Sequence, residues 1–222
     1  MEDETIISPD VSRTNRIPPR QIQTRKWPVL HAGEVPSFDP AKWDFHVFPV
    51  PLVDRVARFT WPEFLALPRV KVFADMHCVT RWSMLDNLWE GVSTSELKKH
   101  VTINPAAKFV MVHGEHGFTT NLPIDDFFAE DCLFALKHNG ADLPADHGYP
   151  VRLVVPRLYA WKSAKWVRGI EFMTDDRPGF WESWEHGGYH MRGDPWKDNG
   201  SGDGQRFREE TNVSGERGTS VP

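Results

Sequence analysis

A chain of 222 residues with 40% hydrophobic and 26% charged side chains has the composition of a soluble globular protein, long enough for one domain with a real core. A net charge of -5 argues against a nucleic-acid-binding surface, and two cysteines make no disulfide framework, which fits a reducing compartment. No run approaches transmembrane length, and the opening MEDETIISPDVSRTNR has neither an apolar signal core nor a twin-arginine pair, so the expected setting is the cytoplasm, away from membranes.

Residues 1–20 are polar, end in IPPR and read as a flexible, extended N-terminal arm. Residues 42–48, KWDFHVF, alternate so that Trp43, Phe45 and Val47 share one face, as in a half-buried strand. TWPEFLALP reads as a short helix, with Thr60 as N-cap, Glu63 as its capping-box partner and Pro68 as the stop. Residues 69–75 form a strand that delivers the chain to Cys78, and Ser93 with Glu96 marks a second capping box. Segments 108–114, 132–138 (before an Asn139–Gly140 turn), 150–156 and 165–173 read as strands. Ten tryptophans and 18 prolines also suit short strands and ordered loops better than a helical bundle. The expected class is α+β: strand-rich mixed sheets with short scattered helices, in one domain over 21–196. Residues 197–222 are glycine-rich, have little apolar content and read as a mobile polar tail. Their GSGDG lacks the preceding strand and following helix of a phosphate loop.

Cys78 sits in HCVTRWSMLDNLWEG beside His77 and Arg81, two groups that would favour its thiolate. It is open to three readings: a buried inert thiol, a nucleophile partnered by His147, or the single soft protein ligand of a metal whose other ligands come from an organic cofactor. A zinc site on His113 and His116 lacks further ligands at recognisable spacing. Residues 147–166 group His147, Arg152, Arg157, Lys162, Ser163 and Lys165 around a strand and a loop, the side-chain types that hold a phosphate. Cys132 opens an apolar run and reads as a buried small hydrophobe.

CVTRWSMLDNLWEG, HGYPVRLVVPRLYAWKSAKWV and FWESWEHGGYHMRGDPW resemble, in order and spacing, the sulfite oxidase family of molybdopterin-dependent oxidoreductases, specifically its small bacterial, haem-free members. The resemblance implies a molybdenum–molybdopterin cofactor with no haem, and Cys78 as the cysteine whose sulfur binds molybdenum. It also implies His147, Arg152, Ser163 and Lys165 around the pterin and its phosphate, His31 reaching the cofactor, and Tyr189 as an active-site tyrosine. The chain departs from true sulfite oxidases after the cysteine, where it reads Val79-Thr80-Arg81-Trp82-Ser83 in place of their glycine–asparagine–arginine pattern, and at Leu30, where they place an arginine; no counterpart of their dimerisation domain is expected. The activity so implied is two-electron oxygen-atom transfer, or S- or N-oxide reduction, on a small molecule, with electrons exchanged with a separate partner. The rivals are a metal-free cysteine hydrolase using Cys78 and His147, and a non-catalytic protein that carries the pterin or docks a partner.

Overall fold

The computed structural model describes residues 5–49, 51–183 and 193–196. The strands are β1 (Ile6–Ile7), β2 (Ile22–Gln23), β3 (Asp44–Phe48), β4 (Ala57–Thr60), β5 (Val70–Cys78) and β6 (Trp82–Ser93). There follow β7 (Phe109–Gly114), β8 (Thr119–Pro123), β9 (Leu133–His138), β10 (Ala141–Asp142), β11 (Arg152–Val154) and β12 (Val167–Met173). Two short helices, α1 (Trp61–Leu65) and α2 (Ile124–Phe127), and several 3₁₀ turns complete the described elements.

The strands build two mixed sheets. A seven-stranded sheet runs β1-β5-β6-β9-β10, with β11 also on β9 and β2 on β6; a five-stranded sheet runs β4-β3-β12-β7-β8. This is the α+β, strand-rich architecture read from the sequence. Between the sheets lies an aromatic core in which Phe45 and Phe134, one from each sheet, meet edge to face with centroids 5.1 Å apart. Trp43, Phe45 and Val47 all point into it, as their alternation requires. The opposite face of the larger sheet carries a second cluster around Trp89, Met76 and Val154, over which Trp27 and Tyr149 pack. That second face carries the site.

Local chemistry explains several elements. Thr60 donates from both its amide and its hydroxyl to the Glu63 carboxylate, at 2.8 and 2.7 Å, and starts α1 as expected. Ser93 caps by accepting from the Ser95 amide, but Glu96 turns to Lys99 at 2.6 Å, so the expected box opens a 3₁₀ turn over Thr94–Lys99. At Gly91 the register between β6 and β9 shifts, and a Cβ there would sit 2.0 Å from the Phe134 carbonyl oxygen. Only glycine permits that approach.

Two features differ from the sequence reading. The segment expected to be a flexible arm packs on the sheet from residue 5: β1 pairs with β5 in parallel, and Ser8 donates to the buried carboxylate of Asp131 at 2.8 Å. Arg16 forks onto Asp75, whose side chain is fully buried, at 2.9 and 2.6 Å. Buried carboxylates must be paired, and this polar segment supplies the partners. The second is β6, the longest strand, which no alternation announced because Asp86 and Asn87 interrupt it. Asp86 takes a positive φ and donates its amide to Asp75, while Asn87 donates to the Ala74 and Met84 carbonyls, so polar side chains hold a bulge in register. The tail expected over 197–222 lies outside the described residues.

Cys132 is fully buried between the sheets, and burial pushes its thiol far up. Cys132→Ala is expected to cost about 1 kcal/mol of stability, read as a lower denaturation midpoint, with metal content and activity unchanged.

Candidate functional site

Cys78 is the last residue of β5 rather than a loop residue beyond it. The turn to β6 is tight: Arg81 adopts a positive φ of 69° and its amide donates to the Cys78 carbonyl at 2.9 Å. That carbonyl also accepts from Gln21 Nε2 at 3.0 Å, and Cys78 faces Trp82 directly across the ladder. The backbone carrying the thiol is thus held from two sides. The Thr80 hydroxyl donates to Sγ at 3.1 Å.

Strand alternation sends the neighbours of Cys78 away from it. His77 and Ser83 form the adjacent cross-strand pair on the other face, with His77 Nδ1 2.9 Å from Ser83 Oγ, which donates onward to Gln21 Oε1 at 2.6 Å. Because the serine proton goes to Gln21, Nδ1 carries the imidazole proton. Burial pushes His77 down to about 4, so it is neutral near pH 7. His77 therefore gives the thiolate no support, and Arg81 is exposed and does not line the cavity on which Cys78 opens. The supporting cation is Arg152. Burial pushes the Cys78 thiol up, and the Thr80 hydrogen bonds and the Arg152 charge oppose that shift.

The cavity has a volume of about 300 Å³ and brings together His31, Cys78, His147, Arg152, Ser163 and Lys165, the six residues expected at the cofactor. Each is positioned for an identifiable reason. A 3₁₀ turn over Ala145–His147 ends at Gly148 in the left-handed region (φ 113°), which lets the turn close against Lys165. His147 stacks flat on Trp27 with centroids 3.7 Å apart, and burial together with Arg152 pushes it down to about 4. Arg152, on β11 and 3% exposed, donates Nη1 to the His147 carbonyl at 3.0 Å, while its buried Nε has no partner. Burial pushes this guanidinium down to about 10, opposed by Cys78. Ser163 accepts from the Val155 amide at 3.0 Å, which pins the intervening loop and leaves its hydroxyl proton available. Lys165 donates to the Asp146 carbonyl at 2.6 Å and is pushed down to about 7 by burial and by Arg152. His31 packs edge-on to Trp166 at 5.2 Å, with Nδ1 buried and unpartnered.

The other two cations of the basic stretch are structural. Arg157 pairs with Asp131 at 2.9 Å, and the fully buried Lys162 pairs with Glu182 at 2.6 Å. Neither lines the cavity. No hydrogen bond joins Cys78 to His147, as a hydrolase pair would need: the thiol accepts from Thr80, and His147 stacks on Trp27. His113 bonds Glu171 at 2.9 Å, and the described residues contain no cluster of three His, Cys, Asp or Glu placed to hold a metal ion. Tyr189 lies outside the described residues.

Among the described residues no carboxylate lines the cavity, while a buried guanidinium, an ammonium group, unpartnered imidazole nitrogens and hydroxyls do. Buried cations without acidic partners are costly and mark a place for an anion. A thiol at the same cavity adds a soft metal ligand. The donor set therefore fits a phosphate-bearing organic cofactor that carries a metal.

The family described as "Oxidoreductase molybdopterin binding domain" matches residues 32–181, which include Cys78, His147, Arg152, Ser163 and Lys165. The chain belongs to this sulfite oxidase-like molybdopterin family. It is an enzyme of that type. It is 47% identical over 186 residues to the "Uncharacterized oxidoreductase YuiH" of Bacillus subtilis (strain 168), covering 83% of this chain and 91% of YuiH. It is 28% identical over 187 residues to the "Putative protein-methionine-sulfoxide reductase subunit YedZ1" of Azospira oryzae, covering 83% of this chain and 69% of that one. In fold it is similar to the sulfane dehydrogenase SoxCD of Paracoccus pantotrophus, with a TM-score of 0.59 at 22% identity over 68% of this chain and 42% of that chain.

Of the residues that wall the cavity, Trp27, Phe118, Trp161 and Trp181 were not singled out in the sequence. The only signal for those four was the tryptophan and phenylalanine content itself.

Proposed function

We propose that this enzyme reduces a small organic S- or N-oxide, with molybdenum–molybdopterin as cofactor and electrons drawn from a separate partner. The observation that carries this reading is the wall of the Cys78 cavity: Trp27, Leu30, Trp82, Phe118, Trp161, Trp166 and Trp181, with Thr80, Thr119 and Thr120 as the nearby hydroxyl residues. Such a wall binds an uncharged organic group by apolar contact; with Thr80 donating to Cys78 Sγ and Thr120 to Glu182, Thr119, which accepts from the Phe180 amide, keeps its hydroxyl proton to orient one polar oxygen. Sulfite, a dianion near neutral pH, requires converging arginines instead. Arg152 is the only arginine lining the cavity among the described residues. Arg168 is paired with Asp44 and Glu115 outside it, and Ser83 lies on the far face of its strand. The similarity to YedZ1, a putative protein-methionine-sulfoxide reductase subunit, supports the same substrate class.

Bound beside Cys78, the cofactor supplies two-electron redox chemistry and oxygen-atom exchange. The chain's own contribution is mechanical and electrostatic. Cys78 offers a thiolate stabilised by Thr80 and Arg152; Arg152, Lys165 and Ser163 hold the phosphate end; and the indole rings exclude water from the reacting face. The balance is R₂S=O + 2 e⁻ + 2 H⁺ → R₂S + H₂O. Steady-state assays with an artificial electron carrier compare sulfite with a panel of sulfoxides and N-oxides. Sulfite oxidation is expected to be slow, with a KM above the roughly 1 μM–1 mM range of physiological substrates. Efficient turnover of micromolar sulfite, with none of the organic oxides, contradicts the reading.

A further inference from the structure

From Val11 to Gly33 the chain has five cations and no carboxylate, within a chain of net charge -5. Arg13 of this segment is paired with Asp10, and Arg16 with Asp75 and Asp86. Arg25 and Lys26 are exposed and, like the exposed Arg81, pair with no carboxylate among the described residues. The same face presents Ile22, Leu30 and Val29, which are 74%, 52% and 44% exposed. It is continuous with the site: the Ile22 amide donates to the Arg81 carbonyl at 3.0 Å, Ile22 pairs with Trp82, and Trp82 pairs with Cys78. Leu30 reaches the cavity itself.

We propose that this face, formed by residues 20–30 and Arg81, docks an acidic one-electron carrier protein. The inference rests on the reading of the site as a two-electron reductase, whose every turnover needs two electrons delivered near Cys78. An acidic carrier docks reduced, gives up one electron, leaves oxidised and is replaced, twice per oxide reduced; the two protons come from water. Charge complementarity selects the sign of the partner. A basic patch on an otherwise acidic chain attracts an acidic protein to that face and repels it from the rest. The exposed aliphatic side chains supply the apolar centre that a transient interface needs. An anionic membrane fits less well, because interfacial anchoring relies on a long amphipathic helix and the longest α-helix described here has five residues.

The test uses the molybdenum-loaded holoenzyme, with reduced plant-type ferredoxin as the acidic probe, methyl viologen as a small cationic donor and methyl phenyl sulfoxide as the oxide. Ferredoxin binding, measured by calorimetric titration, is expected to weaken steeply between roughly 0.02 and 0.5 M salt. The triple variant Arg25→Glu, Lys26→Glu, Arg81→Glu is expected to lower ferredoxin affinity and ferredoxin-driven turnover at least about tenfold while methyl viologen-driven turnover does not fall. Ferredoxin binding that ignores both salt and the variant overturns the proposal. So does flotation of the enzyme with phosphatidylglycerol vesicles, lost in the triple variant, in the absence of ferredoxin binding; that result assigns the face to a membrane. Failure of methyl viologen to drive sulfoxide reduction overturns the oxide-reductase reading instead, and the binding titration still decides the docking face.

Discussion

Cys78→Ser is expected to lower both molybdenum content and turnover more than about a hundredfold, while the fold survives. A lost ligand must exceed the 10–100-fold effect typical of groups that only support one. Serine keeps the volume and the two backbone restraints, the Arg81 amide and Gln21 Nε2 on the residue's carbonyl. What it removes is a soft donor that Thr80 and Arg152 help to ionise. Elemental analysis and steady-state turnover measure the loss, and a melting temperature close to that of the wild type shows that the fold is intact. A variant with full metal and full turnover shows that Cys78 is core filler after all. The Cys132→Ala protein is the matching control, since its thiol is buried in the inter-sheet core and does not line the cavity.

Arg152→Met is expected to move cofactor retention and bare stability in opposite directions. In the cofactor-free chain Arg152 is a buried cation whose Nε has no partner and whose single hydrogen bond goes to a carbonyl. Replacing such a group by an apolar side chain of similar length is neutral or stabilising. With the pterin phosphate present, the same change leaves a buried anion underpaired, at a cost of about 1–3 kcal/mol, or roughly tenfold or more in retention. Pterin release during dialysis and the denaturation midpoint of the cofactor-free protein read the two effects. Lys165 adds a pH dependence. Its folded pKa is lowered to about 7 from an ordinary value of 10.5, so between those values the unfolded chain binds more protons. Cofactor-free stability from this group therefore rises with pH across that window. Gripping a phosphate requires the charged form, so cofactor retention falls as pH rises through about 7. Full pterin occupancy in Arg152→Met, together with pH-independent retention, contradicts the assignment of these residues as the phosphate grip.

Where one residue's chemistry settles its placement, the sequence was informative. The alternation of Trp43, Phe45 and Val47 and the capping pair Thr60–Glu63 each set a local conformation that the tertiary structure keeps. The cavity residues were legible through the resemblance to a family rather than through their own spacing: Cys78, His147, Arg152, Ser163 and Lys165 converge although up to 87 positions separate them. What could not be read depended on pairing across sequence. The polar segment 5–20 looked free because its partners, Asp75 and Asp131, reveal their need for a cation or hydroxyl only once β5 and the loop before β9 are buried. His77 and Arg81 looked like supports for the Cys78 thiolate because they are neighbours in sequence. A strand face and a tight turn direct both elsewhere, and Arg152, 74 residues away, takes that place. The aromatic wall was hidden for the same reason, since Trp27, Phe118, Trp161 and Trp181 come from four separate segments.

The central claim, that Cys78 and the cation-lined cavity beside it hold a molybdenum–pterin cofactor, is tested most directly by metal and pterin analysis of the wild-type protein purified from a host that synthesises molybdopterin. About one molybdenum and one pterin per chain are expected, as a single thiolate site implies. Stoichiometric zinc, or neither metal nor pterin in folded protein from that host, contradicts the account.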